Sequence, residues 1–318
     1  MSKPQNPRTE FDRLMQQCNN ASVRELAWAV GSSPLLSNTS ESAMLNADFF
    51  NAAWQERVDW LHELDASSEQ IAGLCAHLEA GSKRLGKRFE RLIWYWFEQH
   101  PAWSVQKSNW VISDSERTIG EFDLIVLNHE TGENWHIELA CKFYLSTRKT
   151  KQWSDWKGTN VQDDLQHKMD KLEQQLSLSV HPASIEQLKA SDIQIHRRAG
   201  WLKGWFFHHF RDISSPIQPR MAERHCNVGW WCTQSEWHAW MSQSSGEWLE
   251  LSSLEWLQPV HAIEHAPQSA AHIAQRWMST PLEKAQMLAQ VIEIDQKRVE
   301  ISRGFVVQDD WPGLPHRH

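Results

Sequence analysis

Gly120-Glu121-Phe122-Asp123-Leu124-Ile125-Val126 decides how this chain is read, because it sets two acids inside a run of β-formers. Side chains alternate along a strand, so Glu121, Asp123 and Ile125 fall on one face, and that face is acidic. Downstream, His136-Ile137-Glu138-Leu139-Ala140-Cys141-Lys142-Phe143 carries the same alternation. Glu138, Ala140 and Lys142 share one side; Ile137, Leu139, Cys141 and Phe143 share the other. The break at Glu130-Thr131-Gly132-Glu133 reads as the turn of a hairpin, which brings Asp123 across from Glu138. Two facing carboxylates repel unless a cation lies between them. The plainer alternative is a solvent-facing pair, or an ion pair with Lys142.

Before these two strands, period-2 runs over residues 103–106 and 110–112 precede a polar break at Ser113-Asp114-Ser115-Glu116. With 118–127 and 135–145 they predict a three-stranded meander. Upstream the period is helical across 9–98, apart from a loop around 35–46. The strongest stripe is Phe89, Leu92, Ile93, Trp96 and Phe97, at i, i+3, i+4, i+7 and i+8, before His100-Pro101 ends it. Beyond a polar stretch at 146–160, Val161, Leu165, Met169, Leu172 and Leu176 mark a helix ending near His181-Pro182. Apolar runs at 200–207 and 227–232, a short helix at 235–241 and a strand at 303–307 follow. The order predicts an α/β protein: a helical N-terminal region over 1–80, an α-β-β-β-α-β core over 81–212, and a mixed C-terminal extension over 213–318 packed on the core.

Composition narrows the function classes. Across 318 residues, 32 Lys and Arg stand against 40 Asp and Glu, a net charge of −8, which argues against coating nucleic acid through bulk positive charge. A hydrophobic content of 41% excludes collagen-like and disordered chains, since enough apolar surface can be buried to offset ordering entropy. No apolar run reaches 18 residues, and Met1-Ser2-Lys3-Pro4-Gln5-Asn6 lacks an apolar signal core, so a cytoplasmic protein without membrane association is expected. Gly81-Ser82-Lys83-Arg84-Leu85-Gly86-Lys87 has P-loop spacing, but Arg88 stands where a Mg²⁺-binding Ser or Thr belongs and a helical pattern precedes it, so no nucleotide cofactor is expected, and Arg84, Lys87, Arg88 and Arg91 read instead as phosphate-facing or solvated.

Any nucleic-acid contact must then be local. Between Lys142 and Lys157 the basic residues Arg148, Lys149 and Lys151 outnumber the single acid Asp155, and Trp153 and Trp156 lie among them. Arg148, Lys149, Lys151, Trp153 and Lys157 are the candidate DNA or RNA contacts, by backbone neutralisation and base stacking, with a solvated loop as the alternative. The 20 Trp admit the same division between core packing and base stacking.

The helix carrying Glu90, the Gly-Glu-x-Asp-Leu-Ile strand and the Glu138 strand with its nearby Lys together resemble the PD-(D/E)XK nuclease-like superfamily, over roughly residues 81–180. Leu85-Gly86-Lys87-Arg88-Phe89-Glu90, Leu202-Lys203-Gly204-Trp205, Val228-Gly229-Trp230-Trp231 and Arg303-Gly304-Phe305-Val306-Val307 resemble a bacterial domain-of-unknown-function family grouped with it. The superfamily resemblance implies Mg²⁺ or Mn²⁺ held by Asp123, Glu138 and the Leu139 carbonyl, with Glu90 reaching in from its helix. It implies phosphodiester hydrolysis on DNA or RNA, or an inactive descendant that binds nucleic acid or protein. A lysine is expected two residues after the Glu, where this chain has Ala140. Lys142 keeps the same face but roots roughly 6–7 Å further along the strand. Lys168, on the Leu165 and Leu172 face of the next helix, is the other candidate to act at the phosphate, or else pairs with Asp164 at i, i+4.

Overall fold

Five N-terminal helices, α1 (Pro7–Gln17), α2 (Ala21–Gly31), α3 (Ala47–Ala66), α4 (Ser68–Glu79) and α5 (Leu85–Glu98), start largely where short polar side chains can satisfy first-turn N–H groups. Asn20 accepts from Ser22 and Val23, Asn46 from Phe49, and Ser67 from Gln70. The computed structural model describes residues 7–37, 43–114, 117–240, 246–260, 266–294 and 297–313. The N-terminal hexapeptide, Ser115 and Glu116 of the polar break, and Met241 lie outside them. Among the described residues no helix is long and apolar enough to cross a membrane.

The architecture is mixed α/β, and the chain divides into two units interleaved along the sequence. The first takes Met1–Cys141, Lys168–Lys203 and Glu223–His225; the second takes Lys142–His167, Gly204–Ala222 and Cys226–His318. Strands β3 (Asn134–Ser146) and β5 (Ile195–His209) therefore give their first halves to one unit and their second halves to the other.

In the first unit, β1 (Trp103–Ser113), β2 (Thr118–Asn128) and β3 form the antiparallel meander, with β5 next in order. Helix α5 buries Phe89, Leu92, Ile93, Trp96 and Phe97, the stripe its periodicity predicts. Trp201 of β5 is fully buried beside Trp96, Phe97 and Phe50, and donates its indole N–H to the Ala29 carbonyl. A separate cluster joins Ile112, Phe122 and Ile125 of the meander to Leu178, Leu188 and Ile193. Helix α6 (Leu165–Ser177) is followed by a second helix, α7 (Pro182–Ala190), where the sequence reads only a stop. Pro182 sits in the first turn of α7, where no N–H is required of it, and His181 caps the helix by accepting from Ala183.

The second unit adds β4 (Trp156–Lys157), β6 (Asn227–Thr233), α8 (Gln234–Trp240), β7 (Glu247–Leu251), β8 (Gln268–Ser269), α9 (Ala270–Ser279), β9 (Gln286–Ile294) and β10 (Lys297–Val307). Its strands run in the order β5-β6-β10-β9-β7-β8, with β6 parallel to β5 and to β10 and the remaining pairs antiparallel. Much of the tryptophan is core: Trp230, Trp237, Trp248 and Trp277 pack with Ile273, Leu288 and Val306. Gly204 has φ 146, and a Cβ there would meet the Lys142 carbonyl, so only glycine lets these backbones approach.

Candidate active site

The pairing of β2 with β3 joins Leu124 to Ile137, Ile125 to His136, Val126 to Trp135 and Leu127 to Asn134. One step further along that register, Asp123 faces Glu138. There the side chains take over from the backbone ladder. The Leu139 N–H donates to Asp123 Oδ2 at 2.9 Å, and the Asp123 N–H reaches Glu138 Oε1 at 3.5 Å. On the other side of β2, β1 pairs Ser108 with Leu124 and Trp110 with Phe122, which sets Asn109 opposite Asp123. Asn109 has φ 47, in the left-handed region that Asn enters more readily than most residues. Asn109, Asp123 and Glu138 thus form one row across three strands.

Glu138 is 1% exposed. Its Oε1 lies 2.7 Å from Nε2 of the fully buried His136, whose ring meets Phe122 edge-on, while its Oε2 is buried with no hydrogen-bond partner. Burial pushes the His136 imidazole down to about 3, so it is neutral beside the acid. Burial pushes Glu138 up to about 7 against the pull of the Asp123 N–H, the hydrogen bond between the two acid side chains and the charge of Lys168. Asp123 also rises to about 7, through burial first and the Glu138 charge second, with the Leu139 N–H and Lys87 opposing. The two acids titrate as a pair near neutrality.

Helix α5 contributes Lys87 and Glu90. Glu90 is half-buried and raised from the ordinary glutamate value by burial and by Asp123 and Glu121, with Lys87 lowering it. The Lys87 ammonium lies 2.6 Å from Glu90 Oε2, 3.0 Å from Asn109 Oδ1 and 3.7 Å from Glu121 Oε1. Burial works against its charge, yet Glu90, Glu121 and Asp123 hold it above the usual lysine range. Of the residues that the sequence singles out, Asp123, Glu138, Glu90 and Lys168 are electrostatically coupled in this cluster.

A model of the family described as "Domain of unknown function (DUF1853)" matches residues 24–307. The chain belongs to the DUF1853 family. No curated protein and no solved structure matches it. The family match spans every site residue of this DUF1853 chain from Lys87 to Lys168.

A hard divalent ion requires oxygen donors in a compact set. Asp123 and Glu138 offer carboxylate oxygens, one of them orphaned in a buried position, and a small ion such as Mg²⁺ is commonly held by one or two carboxylates with water completing its shell. Among the described residues no group of three or more His, Cys, Asp or Glu side chains is arranged to hold a metal ion. The fit thus rests on the two facing acids, with Glu90 coupled to them through charge.

Other sequence candidates have partners of their own. The Lys142 ammonium pairs with Asp163, and Asp164 takes Lys157 at 2.9 Å. Lys149 lies 3.8 Å from Asp212, while Arg148 and Lys151 are exposed. Trp153 donates its indole N–H to the Arg220 carbonyl at 2.7 Å and carries the Arg220 guanidinium 4.3 Å above its ring; Trp156 is core, edge-on to Phe206 and His208. Spacing alone assigns Asn109 no role in the acid cluster and marks Lys87 only as one of the phosphate-facing or solvated basic residues of its helix. Signals of both are present in the sequence: the alternation lapses at Lys107-Ser108-Asn109 between two strand runs, and Lys87 stands three residues before Glu90.

Proposed function

We propose that the Asp123 and Glu138 pair is the centre of a metal-dependent phosphodiesterase acting on DNA or RNA, built on a PD-(D/E)XK nuclease-like core. One observation carries the reading: a carboxylate buried at 1% exposure, with one oxygen lacking any partner, faces a second carboxylate across a hairpin. Burying two acids in contact is costly, and a fold that keeps the pair with one oxygen unpartnered is prepared for a cation. The order α5, β1, β2, β3, β4, α6, α7, β5 is compatible with the same core, with the two-residue β4 and helix α7 as additions to it.

Asp123 and Glu138, with the Leu139 carbonyl and Glu90, would hold Mg²⁺ or Mn²⁺. Bound there, such an ion polarises a phosphate oxygen and lowers the pKa of an attacking water. The Leu139 N–H fixes the Asp123 carboxylate, and His136 fixes that of Glu138, so neither acid has to be reoriented when substrate arrives. Lys168 supplies positive charge on the Glu138 side. The test is incubation of pure protein with Mg²⁺ or Mn²⁺ and labelled single- and double-stranded DNA and RNA, beside Asp123→Ala. Metal-dependent cleavage lost in the variant is the expected result; cleavage unchanged in the variant defeats the proposal.

A second reading is favoured by Ala140 and by the pairing of Lys142 with Asp163: a non-catalytic module binding nucleic acid or protein, with Arg148, Lys149, Lys151, Trp153 and Lys157 as its nucleic-acid contacts. Affinity that falls steeply with salt, without metal-dependent turnover, would favour it.

A further inference from the structure

We infer that Lys87, delivered by helix α5 and aimed by Asn109, is the cation that meets the substrate phosphate in this acid cluster; the inference rests on the phosphodiesterase reading and names its charge-stabilising residue. A phosphodiester entering a site that already holds Glu90, Glu121, Asp123 and Glu138 adds another negative charge, and fixed positive charge must be present when it arrives. Lysines available to supply it are few. Position 140, two residues beyond Glu138, is Ala, and the Lys142 ammonium is paired with Asp163. Lys168 acts on Glu138, at the opposite end of the row from Asn109. Lys87 is coupled to Asp123, Glu90 and Glu121 together.

Its surroundings exceed those of a surface helix pair. An i, i+3 contact with Glu90 alone would leave the ammonium mobile. Here β1 adds the Asn109 amide oxygen at 3.0 Å and β2 adds Glu121 at 3.7 Å, so the ammonium is drawn from three elements toward the row containing Asp123. Asn109 makes its contact from left-handed backbone inside a strand, and departures of that kind gather at functional sites. The Lys87 side chain is 44% exposed, which leaves the ammonium open to a ligand while Glu90, Asn109 and Glu121 hold it in place. Asn109 is then a positioning residue acting through Lys87, and Lys87 touches the phosphate.

Three variants test this: Lys87→Gln, Lys87→Arg, and Asn109→Gly, which keeps the left-handed backbone and removes the amide. The first readout is binding of a short phosphorothioate oligonucleotide in Ca²⁺ as salt is raised. Lys87→Gln is expected to weaken binding and to lower the slope of log affinity against log salt by about one, while Lys87→Arg retains the slope. The second is Mn²⁺ binding without oligonucleotide, which Lys87→Gln should leave unchanged or tighten, since a competing cation has gone. The third is turnover in Mg²⁺, expected to fall about 100-fold in Lys87→Gln and by less in Asn109→Gly, in kcat more than in KM. A wild-type salt slope in Lys87→Gln overturns the inference, as does weakened Mn²⁺ binding in Lys87→Gln, the mark of a purely structural ion pair. Absence of metal-dependent turnover from the wild type overturns the phosphodiesterase reading instead, and the oligonucleotide slope still decides Lys87. Loss of turnover in Asp123→Ala with Lys87→Gln at wild-type level in both substrate assays overturns Lys87 alone.

Discussion

Glu138 in β3 and Glu300 in β10 are both carboxylates inside strands, with side chains 1% and 5% exposed, and their surroundings are opposite. Glu300 meets the Arg303 guanidinium at 2.6 and 2.8 Å and accepts the Val260 N–H at 2.8 Å. Arg303 also donates to the Trp256 and Gln258 carbonyls and the Met287 sulfur, and lies 4.7 Å from the Trp205 ring. Every charge there is answered. Glu138 has a neutral imidazole on one oxygen and no cation on the other, and its side chain meets a second acid across the strand. A buried charge that is fully matched holds strands together; one left partly unmatched burdens the fold, and a site that binds something is where such a burden is kept.

Removing the cation from the matched side should do the most damage. Arg303→Ala leaves Glu300 buried without its cation and should cost roughly 3–5 kcal/mol in denaturant unfolding, enough to show as loss of soluble yield. The acid side should respond in the opposite direction. Glu138 is raised from its unfolded value of 4.5 to about 7, so the folded state binds the proton more tightly than the unfolded one. The penalty is absent below about pH 4, grows as pH rises through that window, and is complete above about 7. Glu138→Gln should therefore be more stable than wild type at pH 8, by about 2–3 kcal/mol, and lose that advantage at pH 4. A stability difference that does not change with pH would place the origin of the effect in packing. The smallest effect sharpens the contrast: saturating Mn²⁺ at roughly 10–100 times its Kd should stabilise wild type by about 1.4–2.7 kcal/mol, read as a Tm rise, and leave Glu138→Gln nearly unmoved.

Much of this is legible in the sequence because it is local. The stripe of α5 needs only period 3.6, and Asp123 opposite Glu138 needs only alternation and the Thr131-Gly132 turn. The meeting of Lys87 with Asn109 escapes such a reading because it depends on α5 lying against the meander, a tertiary event that spacing does not encode. Same-face parity draws Lys142 toward the site, but Asp163, from a loop 21 residues away in sequence, claims its ammonium. Pro182 reads as an end of helix when it begins one, since proline marks either boundary and only the His181 cap decides. Trp156 stands in a basic run yet faces Phe206 and His208, because two residues of β4 pair with β3 and turn it inward.

The passage of β3 and β5 through both units has a practical corollary. Neither unit is a contiguous length of polypeptide: the first is complete only once Glu223–His225 has been made, after parts of the second have already left the ribosome. Truncations and chimeras between relatives should then be planned around the whole of residues 24–307, since any single cut between Lys142 and His225 divides the material of both units.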